Sequence, residues 1–193
     1  PFWEHWYGAA QQTFSEALSD VDFDDFYFAI NRVEPSLIRV EADELTYNLH
    51  IIIRFELEQE MLDGEINAAD LPDAWNAKYQ QYLGIAPPSN ADGVMQDVHW
   101  SAGLIGYFPT YSLGNLYAAQ FFDRAIHDVP GLLDGVMQGD LKPLRIWLKE
   151  NIHQRGRRLS AAGLVEEVTG SPLDADHFVR YLKNKFGPLY GIG

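Results

Sequence analysis

The sequence predicts an all-α fold, with at most one or two short strands near residues 94–99. Apolar residues recur at spacings of three and four through most of the chain, as one face of a helix requires. Helix-capping residues, prolines and glycines separate these periodic stretches. Hydrophobic residues make up 47% of the 193 residues and aromatic residues 13%, so the chain is folded rather than disordered.

Helices are predicted in the N-terminal half over residues 3–18, 26–33, about 36–62 and 70–83. The acidic run from Asp20 to Asp25 supplies the N-cap of the second helix, and Pro35 opens the third. The third helix closes at Asp63-Gly64, and the fourth stops at Gly84. Residues 85–92 then form a loop rich in proline and turn-forming residues.

Five further helices are predicted. The first follows Gly114, the second covers residues 130–139 and the third begins at Asp140. The last two cover residues 160–169 and 174–187. Ser160 is a strong N-cap and Gly170 a strong stop for one of these helices. Because no linker separates these elements, we expect a single helical domain over residues 1–193.

The predicted helix 36–62 carries a polar row on a largely apolar surface. Arg39, Asp43, Thr46 and His50 follow one another at spacings that place them on one helix face. Arg39 and Asp43 are either a plain intrahelical ion pair or a substrate-binding pair. In the second case, Arg39 presents its donors to a carboxylate, such as a substrate terminus, while Asp43 fixes its direction.

The stretch from Gly93 to Gly114 is the second candidate site, because it combines four glycines with polar and aromatic side chains. If Val94–Trp100 is extended, Gln96 points to one side while Asp97 and His99 point to the other. A carboxylate beside an imidazole can orient it, although such pairs are also common as satisfied core groups. Tyr107 and Tyr111 follow among the glycines.

Several classes of function are excluded by composition. The net charge of −14 argues against binding of nucleic acid. No cysteine is present, which excludes disulfides and thiolate chemistry, and no stretch is apolar enough for a membrane span. None of the six histidines stands four residues from another, so a helical His-Glu-x-x-His zinc motif is absent. We expect a cytoplasmic protein with no membrane partner.

Two motifs resemble signatures of the carboxypeptidase Taq family of metallocarboxypeptidases. The first is Ile38-Arg-Val-Glu-Ala-Asp43, similar to Ile/Val-Arg-x-x-Ala-Asp, and the second is Gly93-Val-Met-Gln-Asp-Val-His-Trp100, similar to Gly-x-x-Gln-Asp-x-His-Trp. The segments Gly106–Tyr111 and Val168-Thr-Gly170 are also similar to this family. The resemblance extends over essentially all 193 residues.

The resemblance implies the C-terminal lobe of a larger, mostly helical, zincin-like peptidase that removes C-terminal residues from peptides. The aromatic start of the chain at Pro1 fits this expectation. The family's metal ligands lie N-terminal to the matched part, so we expect this chain to bind no metal and to be inactive alone. The complete enzyme would use zinc, with cobalt or another divalent ion as the alternative. Its expected partners are a peptide substrate, the N-terminal part of the same protein and a second copy in a homodimer.

Roles for individual residues follow from the same resemblance. Arg39 and Gln96 would bind substrate, and Tyr111 or Tyr107 would donate a hydrogen bond to the oxyanion of the tetrahedral intermediate. His99 would line the cleft or support the metal shell. Asp43 and Asp97 would support these groups. The alternative is a non-catalytic acidic helical module that binds proteins.

Overall fold

Helices and turns make up the computed structural model, which describes residues 1–192. None of these residues forms a strand, which confirms the predicted all-α class. The helices are α1 (Phe2–Thr13), α2 (Ser15–Leu18), α3 (Phe23–Ile30), α4 (Tyr47–Leu62), α5 (Leu71–Leu83), α6 (Pro109–Asp128), α7 (Leu132–Met137), α8 (Lys142–Asn151), α9 (Ala161–Thr169) and α10 (Asp176–Tyr190). Two 3₁₀ turns lie at Arg39–Glu41 and His153–Arg155.

The chain divides into two compact units. One unit is the continuous segment 31–114, and the other combines residues 1–30 with the chain from Asn115 onward. The prediction of a single domain over residues 1–193 stays a prediction. Every residue that the sequence nominates for a site lies between residues 39 and 111, and therefore within the continuous unit.

The core of the continuous unit lies between α4 and α5. Ile53 and Leu57 of α4 pack against Trp75, Tyr79 and Leu83 of α5, and all five side chains are buried. The predicted capping explains α5, because Gly84 has φ of 72° and its N–H donates to Gln80 O. A pair of helices packed in this way gives a rigid base for side chains on the remaining face of α4.

The core of the other unit joins α6, α7, α8 and α9. Ala125, Leu132, Trp147 and Val168 are its buried members. Ser160 caps α9 as predicted, since its Oγ accepts from Gly163 N at 3.1 Å.

The predicted helix from Ser36 to Leu62 is wrong in its first third. Only Arg39–Glu41 forms a 3₁₀ turn, Ala42 is extended, and α4 begins at Tyr47. Asp43 Oδ1 accepts from the backbone N–H groups of Leu45 and Thr46, both at 2.9 Å. These bonds compete with helical bonding, as short polar side chains often do, and they end the irregular stretch. Arg39, Asp43, Thr46 and His50 therefore do not share a helix face.

The segment from Val94 to Trp100 is built from turns, so the optional short strand is absent from this part of the structure. Backbone bonds such as Gln96 N to Gly93 O at 3.0 Å and Leu104 N to His99 O at 2.9 Å close these turns. Gly103 and Gly106 have φ values of 73° and 74°, which other residues rarely adopt. The predicted placement of Gln96 opposite Asp97 and His99 therefore does not apply.

Candidate functional site

Three polar side chains on α4 form the base of the candidate site. His50, Arg54 and Glu58 follow one another at intervals of four and are almost completely buried, with exposures of 0%, 0% and 3%. Most of their polar atoms are hydrogen-bonded, as the cost of an unpaired buried group requires, and the exception is His50 Nε2, which has no partner among the described residues. Their partners belong largely to the glycine-rich segment, which is thereby held against the helix.

Asp97 is shared by two guanidinium groups. Arg39 Nη2 donates to Asp97 Oδ1 at 2.6 Å, and Arg54 Nε donates to Oδ2 at 2.5 Å. Burial alone would raise the pKa of this carboxyl, but the hydrogen bonds and charges of the two arginines outweigh it and hold the pKa below its usual range. Two cations and one anion leave these three groups with one net positive charge.

Arg39 is buried, with 6% of its surface exposed, and two residues fix its guanidinium. Nε and Nη2 donate to Asp97, while Nη1 donates to the hydroxyl of Tyr47 at 3.1 Å. A guanidinium has five N–H donors, so these contacts leave one on each terminal nitrogen without a bond inside the described structure. Its carbon also lies 5.1 Å from the ring centroid of Tyr111, a cation–π distance.

Gln96 joins the two arginines to the backbone. Its Oε1 accepts from Arg39 N at 3.0 Å and from Arg54 Nη2 at 2.8 Å. Its Nε2 donates to Leu37 O and to Asp92 O, both at 2.9 Å. The amide thus has its acceptor and both donors engaged within the protein.

Asp43 lies away from this cluster, and the predicted pairing with Arg39 is not formed. Besides capping α4, its carboxylate accepts from Glu34 N at 3.1 Å and from Thr46 Oγ1 at 2.7 Å. The carboxylate that orients Arg39 is Asp97, which lies 58 positions further along the chain.

Tyr111, in the first turn of α6, faces His99. The Tyr111 hydroxyl oxygen lies 2.9 Å from His99 Nε2. Burial raises the pKa of Tyr111 although the charge of Arg39 lowers it, so the phenol keeps its proton at neutral pH. The ring of Tyr107 packs edge-on against Tyr111 at 5.4 Å, but Tyr107 is 43% exposed.

Glu58 anchors the far end of the glycine-rich segment. It accepts from Trp100 Nε1 at 2.7 Å and from Gly106 N at 2.6 Å. These two bonds fix the chain on both sides of the turns that lead to Tyr107 and Tyr111.

His50 pairs with a tyrosine of α5. Its Nδ1 lies 3.1 Å from the hydroxyl of Tyr79. Burial, with the charges of Arg54 and Arg39, lowers the pKa of His50 to about 4, so the imidazole is neutral at pH 7.

The structure thus brings Arg39, Gln96, Asp97, His99 and Tyr111 together. Sequence reasoning missed Arg54 and Glu58, which bind the glycine-rich segment to α4. Their signal was available, because His50, Arg54 and Glu58 recur at spacing four, which places them in one row along the predicted helix.

No group of three or more histidine, aspartate or glutamate side chains that could hold a metal ion occurs among residues 1–192. The side chains present therefore do not fit a metal site. Within the same residues, no helix is both long and apolar enough to cross a membrane.

The family profile of carboxypeptidase Taq (M32) metallopeptidases matches residues 1–186. Thermostable carboxypeptidase 1 of Thermus thermophilus is 52% identical over 190 residues, and carboxypeptidase 1 of Bacillus subtilis is 44% identical over 189. Each comparison covers 98% of this chain but only 37% and 38% of the respective relative. The chain thus spans a little over a third of the length of these curated relatives.

Solved structures give the same result. The M32 carboxypeptidase of Deinococcus radiodurans superposes with a TM-score of 0.95 at 47% identity, covering 99% of this chain and 39% of that one. Metallocarboxypeptidase 1 of Trypanosoma cruzi superposes with a TM-score of 0.89 at 36% identity, covering 96% and 39%.

Proposed function

Because this chain belongs to the carboxypeptidase Taq (M32) family of metallopeptidases, we propose that it supplies the substrate-binding part of a carboxypeptidase. In this proposal, the cluster around Asp97 receives the C-terminal carboxylate of a peptide. Arg39 makes the contact, and Tyr111 stabilises the oxyanion that develops when the terminal peptide bond is attacked.

The spare donors of Arg39 are the observation that supports this function. Asp97 and Tyr47 hold the guanidinium in place, yet each terminal nitrogen keeps one N–H without a bond in the described structure. A carboxylate accepts two such bonds side by side. Because Arg39, Arg54 and Asp97 carry one net positive charge, an added carboxylate would neutralise them.

Tyr111 suits the oxyanion role better than Tyr107. It is half-buried, lies beside the guanidinium of Arg39 and already has a hydrogen-bond partner in His99. Tyr107 is more exposed, and a hydrogen bond from a donor in contact with solvent contributes less to transition-state stabilisation than one from a water-excluded donor.

We assign supporting roles to the other nominated residues. Asp97 orients Arg39, while Gln96 ties both arginines to the backbone and has no amide group left for a substrate. Asp43 supports the site indirectly: it does not contact Arg39, but it fixes the start of α4.

The remaining parts of the proposal rest on the family. We propose that the metal is zinc, with cobalt or another divalent ion as the alternative, and that its ligands lie in the part of the relatives' length N-terminal to the match. A cytoplasmic homodimer completes the proposal. The competing function is a free-standing module that binds proteins. Binding through an exposed surface would not require a buried cluster with a net positive charge.

Arg39→Lys and Arg39→Ala test the proposal in a polypeptide of the relatives' full length that carries this sequence. A peptide with a free C-terminal carboxylate and its amidated counterpart should be compared. We expect KM for the free acid to rise roughly 10- to 100-fold in Arg39→Ala, as for loss of hydrogen bonds to a charged group. Lysine should restore only part of the loss, because it lacks the planar fork.

Arg32→Ala is the matched control, since Arg32 lies in the same unit and pairs with Glu34 at the surface. Its KM should stay at the wild-type value. Unchanged preference for the free acid over the amide in Arg39→Ala would contradict the assignment of Arg39.

A further inference from the structure

Two histidine–tyrosine pairs occur in the continuous unit, and their surroundings differ. The hydroxyl of Tyr79 lies against His50 and also donates to Leu37 O at 3.1 Å, while Arg54 Nη1 approaches it at 3.3 Å. This hydroxyl has all its hydrogen-bonding capacity occupied inside the protein. It is a structural group.

The hydroxyl of Tyr111 is different, because His99 is its one hydrogen-bond partner among the described residues. A phenol has one donor and two acceptor positions, so the O–H of Tyr111 is free to donate to another molecule when His99 Nε2 carries the proton and donates to the hydroxyl oxygen. The ring is half-buried, which limits the directions from which that molecule can approach.

His99 is itself held tightly. Its exposure is 8%, and its ring lies 4.4 Å from that of Phe108 and 5.6 Å from that of Tyr107, between centroids. Its second nitrogen, Nδ1, lies 3.6 Å from Asp97 Oδ1. This nitrogen is buried without a hydrogen-bond partner among the described residues, so the imidazole lies beside Asp97 but its ring is hydrogen-bonded to Tyr111 alone.

We propose that His99 is a positioning residue, which fixes the Tyr111 hydroxyl in the direction of the reacting carbonyl without touching the substrate. The inference rests on the function proposed above for Tyr111. Holding the hydroxyl before substrate arrives removes the cost of orienting it during the reaction, so the contribution of His99 belongs to kcat.

His99→Asn and His99→Gln separate this role from a general structural one. The amide nitrogen of glutamine reaches about as far as Nε2 of histidine, whereas the asparagine side chain is shorter and corresponds to Nδ1. In a polypeptide of the relatives' full length, we expect His99→Asn to lower kcat roughly 10- to 100-fold while KM stays the same. His99→Gln should recover most of this loss.

The second measurement is a double-mutant cycle with Tyr111→Phe. If His99 acts through Tyr111, adding His99→Asn to Tyr111→Phe should lower kcat by less than twofold. If the losses of kcat in the two single variants multiply in the double variant, the inference is overturned. It is also overturned if His99→Gln has no higher kcat than His99→Asn while the two variants melt at the same temperature.

The failures of the two proposals can be distinguished. Wild-type kcat in Tyr111→Phe alone would remove the role of Tyr111, and the positioning role would fall with it. A large loss in Tyr111→Phe with wild-type kcat in His99→Asn would overturn the positioning role alone. His127→Asn is the control, because that histidine is exposed and lies in the other unit, and it should leave kcat unchanged.

Discussion

At the scale of single residues, His50 couples the stability of the protein to pH. Its pKa is about 4 in the folded protein, against an ordinary value of 6.5, because burial and the charges of Arg54 and Arg39 disfavour the imidazolium. Between these two values the unfolded chain binds more protons than the folded chain. The free energy of unfolding therefore falls as the pH falls from about 6.5 to about 4, by about 3 kcal/mol.

Urea unfolding at a series of pH values measures this loss. His50→Asn, whose amide replaces Nδ1 beside Tyr79, should flatten the pH dependence in this window, whereas His127→Asn should not. An equal slope in the wild type and in His50→Asn would contradict the assignment. The contribution of Asp97 is separate, since its pKa is held below 3.8 and its stabilisation is lost only at still lower pH.

Single residues also mark the limit of what the sequence could predict about the site. Arg39 and Asp97 were both nominated from their motifs, but their pairing was not, because 58 positions separate them. Spacing along a helix can predict neighbours only within a few turns. Arg39 was therefore assigned to Asp43, its nearest acidic neighbour at helical spacing.

At the scale of elements, α4 holds an irregular segment through the side chain of Glu58. Glu58→Ala would leave Trp100 Nε1 and Gly106 N without their acceptor. We expect a loss of about 2–6 kcal/mol in the free energy of unfolding, since each of the two unsatisfied donors costs about 1–3 kcal/mol.

Urea unfolding tests this prediction, with Glu60→Ala as the matched control. Glu60 lies on the same helix and pairs with Lys78, but it is more exposed, so its loss should cost less than about 1 kcal/mol. Similar losses in the two variants would show that Glu58 is not an anchor.

The helix ends that were predicted well are those determined by residues close to them in the sequence. Gly84 and Ser160 cap α5 and α9 as expected, because each cap involves residues within one turn. The two largest errors, at residues 36–46 and 94–100, fall where side chains replace regular backbone bonding. Asp43 ends the first stretch, and long-range bonds from Arg54 and Glu58 hold the second.

At the scale of the molecule, the candidate site is contained in one compact unit of 84 consecutive positions, from residue 31 to residue 114. Its polar groups are tied to a helix pair with a buried core, so the site is built on rigid elements. The family resemblance seen in the two motifs extends through the whole fold, as the superposition on the Deinococcus radiodurans enzyme shows. The hydrogen bonds that join Arg54 and Glu58 of α4 to the second motif could be identified only from the three-dimensional structure.

In the function that we propose, Arg39 receives the C-terminal carboxylate of a peptide. A crystal structure of a polypeptide of the relatives' full length that carries this sequence, with a bound peptide, is the decisive measurement. We expect both terminal nitrogens of Arg39 at about 2.7–2.9 Å from the carboxylate oxygens, as in charge-assisted bidentate pairs, with the Asp97 contacts retained. A peptide whose carboxylate is bound by a different cation, with Arg39 more than about 4 Å away, would contradict this role of Arg39.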